Sequence, residues 1–276
     1  KTYEAGARGR LSENISWNAA IYHAMNHDDM MFISTNAVNG LGYFDNIGRT
    51  QRDGLDLGIS GNRLPLNFLS ESTQNKISWN VNYGLTHATY DSDLELTAEA
   101  NSSASDSDSS YSSITSGEFF DEATDVGGGA AGATELRVNN DVIQVKKGDQ
   151  LANIPMHRLK LRLNYDVSDN FRIGGNAIGF SKAWVMGNEN QKHDGDGEVP
   201  GYVLVNLDAA YKPAQNWTVA FKAINIFDKN YYTGGRLIEN AFTGVGSNTR
   251  TNAFSGIGVM PGSPQAAWLT VTYDFK

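Results

Sequence analysis

The chain has 276 residues, of which 40% are hydrophobic and 19% charged, and it carries a formal charge of -9 and no cysteine. No stretch approaches the roughly 20 apolar residues that a membrane helix needs, which excludes a helical membrane protein. The absence of cysteine excludes disulfides, thiolate metal sites and a cysteine nucleophile. The acidic balance argues against general nucleic-acid binding. A soluble β-rich domain and a membrane β-barrel both remain open.

Polar and apolar residues alternate with a period of two along much of the chain, which predicts β-strands. The pattern is clearest at 158–165, where Leu159, Leu161 and Leu163 alternate with polar side chains. Most of the predicted strands are near the length of about 9 to 11 residues with which a tilted strand crosses a bilayer. In chain order they are 3–11, 15–23, 55–60, 77–86, 158–165, 171–179, 202–211, 217–227 and 269–276.

The connections between these strands alternate in length. Short polar turns lie at 12–14, 168–170 and 212–216, and a somewhat longer one lies between Gly61 and Lys76. Short turns at one end and long loops at the other are typical of outer-membrane barrels, whereas a soluble sandwich has more even spacing. The long connections are 24–50, 90–156, 187–199 and 229–265.

Aromatic residues stand on the apolar side of the pattern on both sides of the short turns. The run Ile15-Ser16-Trp17-Asn18 nearly repeats as Ile77-Ser78-Trp79-Asn80. One such aromatic is an ordinary core residue, but a whole set beside turns predicts an aromatic girdle at one membrane interface. Its other members are Tyr165, Phe171, Tyr211, Trp217 and Tyr273.

The polar side of the strands carries many charges, which need water or partners of opposite sign. We expect these side chains to face the lumen, and most of them to pair with one another or with groups inside the barrel instead of binding a ligand. The charged residues predicted to face the lumen are Arg8, Arg10, Arg158, Lys160, Arg162, Arg172, Asp208 and Lys222.

Five segments of the chain carry a joint signal, although no single one is specific. They are Tyr3 to Arg10, His157 to Tyr165, Val199 to Leu207, the motif Asn225-Ile226-Phe227-Asp228-Lys229-Asn230-Tyr231, and Pro261 to Phe275. Together they resemble the C-terminal half of the barrel of TonB-dependent outer-membrane transporters, in that family's order and nearly end to end. One difference is Lys276, since the family commonly ends on an aromatic residue.

The resemblance implies an all-β fold, a transmembrane antiparallel barrel of 22 strands closed around an N-terminal plug. On this interpretation, residues 1–276 are a C-terminal portion of about nine strands. An odd set of strands would leave two open edges, and the chain begins at Lys1 without an initiator methionine. We therefore expect the plug, its TonB-contacting box and the earlier strands to lie in preceding sequence. The implied partners are that portion, TonB through the plug, outer-membrane lipid and lipopolysaccharide, and a small-molecule substrate, with no nucleic acid.

The long loops carry weaker signals. Residues 98–156 are predicted to be a long extracellular loop region, and 98–135 are so rich in Ser, Asp, Gly and Ala that we expect a mobile segment without a core. The acidic run 193–198 resembles part of a calcium loop but lacks the full ligand pattern, so a solvated hairpin tip is favoured. Side chains that could serve as soft metal ligands lie near the first long loop. They could indicate metal or haem capture, but a structural strand end is favoured. They are His23, Met25, His27, Met30 and Met31.

Substrate contacts are predicted from loop location alone, for aromatic and basic residues. No nucleophile elbow, phosphate loop or metalloprotease motif is present, so we predict a non-enzyme without cofactor or metal. The resemblance implies TonB-energised import of a scarce nutrient across the outer membrane of a Gram-negative cell, in the first instance a ferric siderophore. The alternative is a passive pore or a surface domain for adhesion. The predicted contacts are Tyr43, Trp184, Tyr231, Tyr232, Arg236, Phe242 and Arg250.

Overall fold

The computed structural model describes residues 1–36, 41–63, 76–98, 100–106, 141–239 and 255–275. Throughout these ranges the regular structure is β-strand, and no helix long and apolar enough to cross a membrane is found in them. The all-β prediction is therefore confirmed.

Nine long strands form one antiparallel sheet, which we call the main sheet. Every predicted strand overlaps one of them, and each pairs with the strand before and after it in this series. In order they are β1 (Thr2–Ser12), β2 (Ile15–Asn26), β5 (Thr50–Gly61), β6 (Ile77–Tyr90), β10 (His157–Ser168), β11 (Phe171–Phe180), β14 (Tyr202–Ala214), β15 (Trp217–Ile224) and β18 (Ala266–Tyr273).

The long connections contain short strands that the alternation pattern did not reveal. They form small sheets, which together with their connections we call the loop layer. The strands are β3 (Met30–Asn36) with β4 (Leu41–Asn46), β7 (Leu94–Thr97) and β8 (Ser105–Asp106) with β9 (Asp141–Val145), β12 (Ala183–Trp184) with β13 (Glu198–Val199), and β16 (Tyr232–Glu239) with β17 (Ser255–Pro261).

The register divides the main sheet into two faces, because directly paired residues project to the same side. We call the face with Lys160 and Asp208 the polar face and the face with Leu161, Leu207 and Val271 the apolar face. These three apolar side chains are 40%, 46% and 55% exposed. A soluble sandwich requires them to be covered by a second sheet, and no such cover exists within the described residues. The exposed apolar face therefore favours a membrane strand set over the soluble alternative.

Aromatic side chains meet on the apolar face at the end with the short turns. The ring of Phe171 lies 6.2 Å from that of Tyr211, and the ring of Trp217 lies 4.8 Å from that of Tyr273. These contacts agree with the girdle predicted for that level.

Most of the buried hydrophobic residues belong to the loop layer and the strand ends beneath it. One cluster surrounds Ile143 and Val145, both 0% exposed, and a second surrounds Val185, also 0% exposed. Ala88 and Tyr90 join the first cluster from the polar side of β6. The loop layer therefore folds over the polar face and covers its end away from the short turns.

Residues 98, 100 and 101 differ from the expected mobile segment without a core. Ala98 and Ala100 are each 7% exposed and Asn101 is 4% exposed, because they pack into the two clusters or beside them. Residues 107–140, which include most of the low-complexity run, lie outside the described residues.

Candidate functional site

The polar face brings together all eight charged residues that the sequence places in the lumen. Arg8 pairs with Asn18, which pairs with Gly58, then Asn82, then Lys160, so one row crosses five strands. A second row begins at Arg10 and reaches Arg162, and the ladders place the remaining predicted charges on the same side: Arg158, Arg172, Asp208 and Lys222.

Three arginines of this face are engaged by carboxylates: Arg52, Arg162 and Arg172. The guanidinium of Arg162 donates to both carboxylate oxygens of Asp208 at 2.6 and 2.8 Å, and to Asn164 at 2.8 Å. Arg172 forms an ion pair with Asp166. The pairing of Arg162, Arg172 and Asp208 fits a structural role for these three charges.

The pair between Arg162 and Asp208 spans a strand that lies between them. Arg162 is on β10 and Asp208 on β14, and β11 separates them. At the crossing point β11 carries Gly174, where an added Cβ would lie 2.7 Å from Nη2 of Arg162 and 3.0 Å from Oδ2 of Asp208. The missing side chain of Gly174 therefore leaves the space through which the two charged groups meet.

Other cations of this face have no carboxylate partner in the described chain. Arg8, Arg10 and Lys160 are exposed and form no ion pair there. Arg158 donates to the Thr86 hydroxyl at 3.3 Å, and the Lys222 ammonium lies 5.7 Å from the centre of the Trp268 ring.

In the loop layer, Trp184 and Arg236 come to the same side of a small sheet. Trp184 pairs with Glu198, and two residues later Met186 bridges to Arg236 in parallel. The bridge consists of Met186 N–H to the Gly235 carbonyl at 3.0 Å and Leu237 N–H to the Met186 carbonyl at 2.7 Å. By alternation, Val185 and Leu237 face the buried cluster, and Trp184, Met186 and Arg236 face away from it.

This side, which we call the loop-sheet face, has both apolar and cationic character. Trp184 and Arg236 are half-buried, and the Lys182 ammonium lies 5.5 Å from the centre of the Trp184 ring. Lys182 is neutralised by Glu198 at 2.8 Å, whereas Arg236 has no ion pair within the described residues. Gly258, the β17 partner of Arg236, has no side chain, and the Ile238 side chain lies 3.3 Å from the position that a Cβ of Gly258 would take. An indole and an unpaired guanidinium on the same side suit a ligand that is both anionic and flat.

The remaining predicted contacts do not join this face. Tyr231 packs its ring 4.5 Å from that of Tyr202 and accepts a hydrogen bond from Ser263 N–H at 3.0 Å, so it fastens a turn. Tyr232 begins β16 and is 38% exposed. The backbone of Tyr43 lies in β4, paired with Ile33. Phe242 and Arg250 lie outside the described residues, and their predicted role stays a prediction.

A buried polar network ties two segments of the loop layer together, and no sequence pattern indicated it. The side-chain amide of Asn101 donates to the Gly187 carbonyl at 2.7 Å, and that of Asn190 donates to Ser103 Oγ at 2.8 Å. Between these bonds, Glu189 is 2% exposed and accepts from Gly187 N–H at 2.9 Å. Burial raises the pKa of Glu189 to about 7, and the amide donor opposes the shift.

The acidic run 193–198 is a hairpin tip. Asp194 and Asp196 are exposed, and Glu198 pairs with Lys182. Desolvation lowers the pKa of His193, whose Nδ1 accepts from Ser102 N–H at 3.0 Å. Across the part of the chain that the structure describes, no group of three His, Asp or Glu side chains is placed to hold a metal ion.

Two of the soft-ligand residues near the first long loop, His23 and Met31, have structural contacts. His23 Nδ1 lies 2.6 Å from Asp53 Oδ1, and its ring stacks on that of Tyr3. The hydroxyl of Tyr90 donates to the sulfur of Met31 at 3.6 Å. Both contacts fit the structural interpretation of this strand end.

Comparison with known proteins agrees with this geometry. The sequence model described as "TonB dependent receptor-like, beta-barrel" matches residues 1–226. The chain belongs to the TonB-dependent receptor β-barrel family. The metal-pseudopaline receptor CntO of Pseudomonas aeruginosa is 24% identical over 147 residues, which are 53% of this chain and 18% of that receptor.

Solved receptors of low identity share the fold. The ferric yersiniabactin uptake receptor FyuA from Yersinia pestis aligns with 100% of this chain and 30% of its own, at 12% identity and a TM-score of 0.56. The siderophore receptor PiuA from Acinetobacter baumannii aligns with 99% of this chain and 28% of its own, at 17% identity and a TM-score of 0.54. This TonB-dependent receptor chain thus spans less than a third of the length of these structures.

Proposed function

We propose that the chain forms part of an outer-membrane barrel that imports a scarce nutrient with energy transmitted by TonB, and that the nutrient is a ferric siderophore. The observation that carries the proposal is the loop-sheet face, which presents Trp184 and the unpaired Arg236 on one side of the loop layer. Membership in the receptor family supports it. In the whole receptor, 22 strands surround a plug, the long loops face outward, and the apolar face contacts lipid.

The chemistry of the loop-sheet face fits a bulky chelate better than a small hydrophilic solute. Arg236 supplies a charge-assisted donor for oxygen ligands around a metal, and Trp184 supplies a flat apolar surface. Several matched proteins are named as receptors for metal chelates, including ferric yersiniabactin and metal-pseudopaline. Import against a gradient requires energy, which is why we include TonB.

Growth of a strain that lacks the receptor, supplied with defined iron sources, tests the proposal. The full-length receptor should restore growth on one siderophore and bring labelled iron into the cell only when TonB is present. Unchanged siderophore uptake after deletion would contradict the iron assignment. Uptake that persists without TonB would favour the passive pore.

The binding role of the loop-sheet face is tested by Arg236→Ala and Trp184→Ala. Loss of a charged hydrogen bond should raise the Kd of the siderophore by roughly 10- to 100-fold, measured on the purified full-length receptor by quenching of intrinsic fluorescence. Lys147→Ala is the matched control, because this exposed lysine lies elsewhere in the loop layer and pairs with Asp91. Wild-type affinity in both variants would place the ligand on other residues.

A further inference from the structure

Three of the five histidines in the chain lie at the loop-layer end of the main sheet, where alternation places them on the apolar face with Leu161. The register pairs His23 with Asp53 and Asp53 with His87, so these side chains form one row across β2, β5 and β6. On β10, His157 pairs with Leu85 and lies one row closer to the short turns. We call His23, Asp53, His87 and His157 the imidazole patch.

Hydrogen bonds and ring contacts hold two of these imidazoles in place. His23 Nδ1 lies 2.6 Å from Asp53 Oδ1, and the imidazole stacks on the ring of Tyr3 on β1. His157 Nδ1 lies 2.8 Å from the hydroxyl of Tyr83 on β6, and the two rings stack with their centres 6.1 Å apart. Among the main-sheet strands, all of which the structure describes, Asp53 is the one carboxylate on the apolar face.

The imidazole patch lies at the edge of the apolar band. On β6, five apolar or aromatic side chains from Ile77 to Leu85 precede His87 on this face. The ten residue steps from Ile77 to His87 span roughly 33 Å at about 3.3 Å per residue, or roughly 25 Å across the membrane for a strand tilted by about 40°. The apolar band of outer-membrane barrels has about this height of 25 Å. The geometry therefore places the patch where lipid headgroups replace acyl chains.

The charge of the patch depends on its imidazoles. Every lysine and arginine of β1, β2, β5, β6 and β10 lies on the polar face, so within these strands only imidazoles can make the apolar face cationic. The nearest lysine, Lys1, precedes β1, and its carbonyl accepts from Met25 N–H at 2.8 Å. Histidine changes its charge between about pH 5 and 8. The patch therefore carries one negative charge, from Asp53, when the imidazoles are neutral, and two net positive charges when all three are protonated.

The apolar side chains next to the patch decide which kind of anion fits. Ile21, which is 61% exposed, forms the adjoining row with Leu55 and Leu85 on the same face. A lipid with phosphates at the head of its acyl chains covers both rows at once, whereas free phosphate covers the imidazoles alone. Lipid A, the anchor of lipopolysaccharide, is such a lipid.

We propose that the imidazole patch is an acid-activated binding site for the lipid A phosphates of lipopolysaccharide. This rests on the part of the proposed function that places the chain in the outer membrane. His87 and His157, which are exposed, donate charge-assisted hydrogen bonds to phosphate oxygens when they are protonated. At neutral pH the negative charge of Asp53 repels the phosphates. Because His87 and His157 are exposed, their protonation alters lipid binding and not the stability of the lipid-free sheet.

The test measures binding of fluorescently labelled lipopolysaccharide to the purified full-length receptor in detergent, without divalent cations, at about pH 5.5 and about pH 8. The wild-type affinity should be roughly tenfold higher at the lower pH, as expected for several exposed ion pairs of modest strength. His23→Gln, His87→Gln and His157→Gln combined should abolish the pH difference and leave the weaker affinity at both pH values. Heat-dependent mobility on SDS gels should show that the variant barrel is assembled.

Two further variants serve as controls. His193→Gln removes a histidine of the hairpin tip, outside the patch, and should keep the wild-type pH difference. His87→Arg with His157→Arg makes two charges of the patch permanent and should give the higher affinity at both pH values. If the triple glutamine variant fails to assemble, His87→Gln with His157→Gln changes only the two exposed positions and should still reduce the pH difference.

A pH difference that persists in the assembled triple glutamine variant would overturn the proposal. Equal binding of lipopolysaccharide from which the lipid A phosphates have been removed would also overturn it. Binding of inorganic phosphate in calorimetry with the same pH difference, without preference for the lipid, would assign the patch to a free anion and contradict the lipid assignment. None of these measurements uses the nutrient or TonB, so a failure of the import assignment is distinguishable from a failure of this proposal.

Discussion

On β10 of the main sheet, Leu159 and Leu161 are each 40% exposed, whereas Ile143 and Val145 of β9 in the loop layer are fully buried. The main sheet is one layer thick, so its order comes from backbone ladders and from charge pairs such as Arg162 with Asp208. The loop layer has hydrophobic clusters like those of a small soluble domain. The difference indicates that the apolar face of the main sheet depends on the membrane as its solvent. The loop layer is instead stabilised by hydrophobic burial within itself.

Replacing Ile143 by alanine should separate the two regions most strongly. Removing a fully buried isoleucine costs roughly 2–5 kcal/mol through lost burial and the cavity left behind. Hydrogen exchange should therefore accelerate throughout β7 and β9 of the full-length receptor while the main sheet keeps its protection. Leu269→Ala is the control, because Leu269 is 65% exposed on the apolar face. Equal destabilisation by both changes would contradict an independent loop core.

The loop layer should also respond to pH where the main sheet does not. In the folded chain Glu189 has a pKa of about 7, above its ordinary value of 4.5, so it holds its proton after the unfolded chain has lost it. Stability of the 186–197 segment should therefore be highest below about pH 4.5 and fall as pH rises towards about 7. The total loss is on the order of 3 kcal/mol.

Glu189→Gln removes this titration while nearly preserving shape. Exchange protection of segment 186–197 should become flat between about pH 4.5 and 7 in the variant and decline in wild type. A wild-type segment whose protection is constant over that range would show that Glu189 does not control the loop layer.

A smaller effect should distinguish the two faces of the main sheet. Gly174→Val on β11 places a side chain where Arg162 meets Asp208, and we expect a loss of about 1–3 kcal/mol as that pair separates. Gly179→Val is the matched control on the same strand, because its Cβ would meet Val203 at an ordinary 3.5 Å on the apolar face. Urea midpoints of the folded receptor in detergent compare the two. A urea midpoint that is lower for Gly179→Val than for Gly174→Val would argue against the bridging role of Gly174.

The same contrast explains what could be predicted from the sequence. Period-two alternation identified all nine strands of the main sheet, since lipid and lumen impose opposite demands on successive residues. Ile143 and Val145 also alternate around Gln144, but one short strand inside a 66-residue connection is too weak a signal to stand out. The surrounding low-complexity composition suggested the opposite.

The candidate site was predictable in its residue types and not in its grouping. The eight charges could be assigned to one face from the sequence, because alternate residues of a strand project to the same side. Trp184 and Arg236 come to one side of the loop layer because Met186 bridges to Arg236 in parallel, between segments about 50 residues apart, which no local pattern encodes. The buried position of Glu189 was likewise invisible, since isolated carboxylates in loops are normally exposed.

The main sheet also pairs its strands in the order in which the chain supplies them. Two-residue turns close the hairpins β1 with β2, β10 with β11 and β14 with β15, and such hairpins form in about 1–10 μs. The ladder between β6 and β10 must instead close residues 91–156. Closure entropy grows only logarithmically, so doubling that insertion costs about 0.6 kcal/mol. Evolution can therefore lengthen or exchange the long loops at little cost to the assembly of the wall.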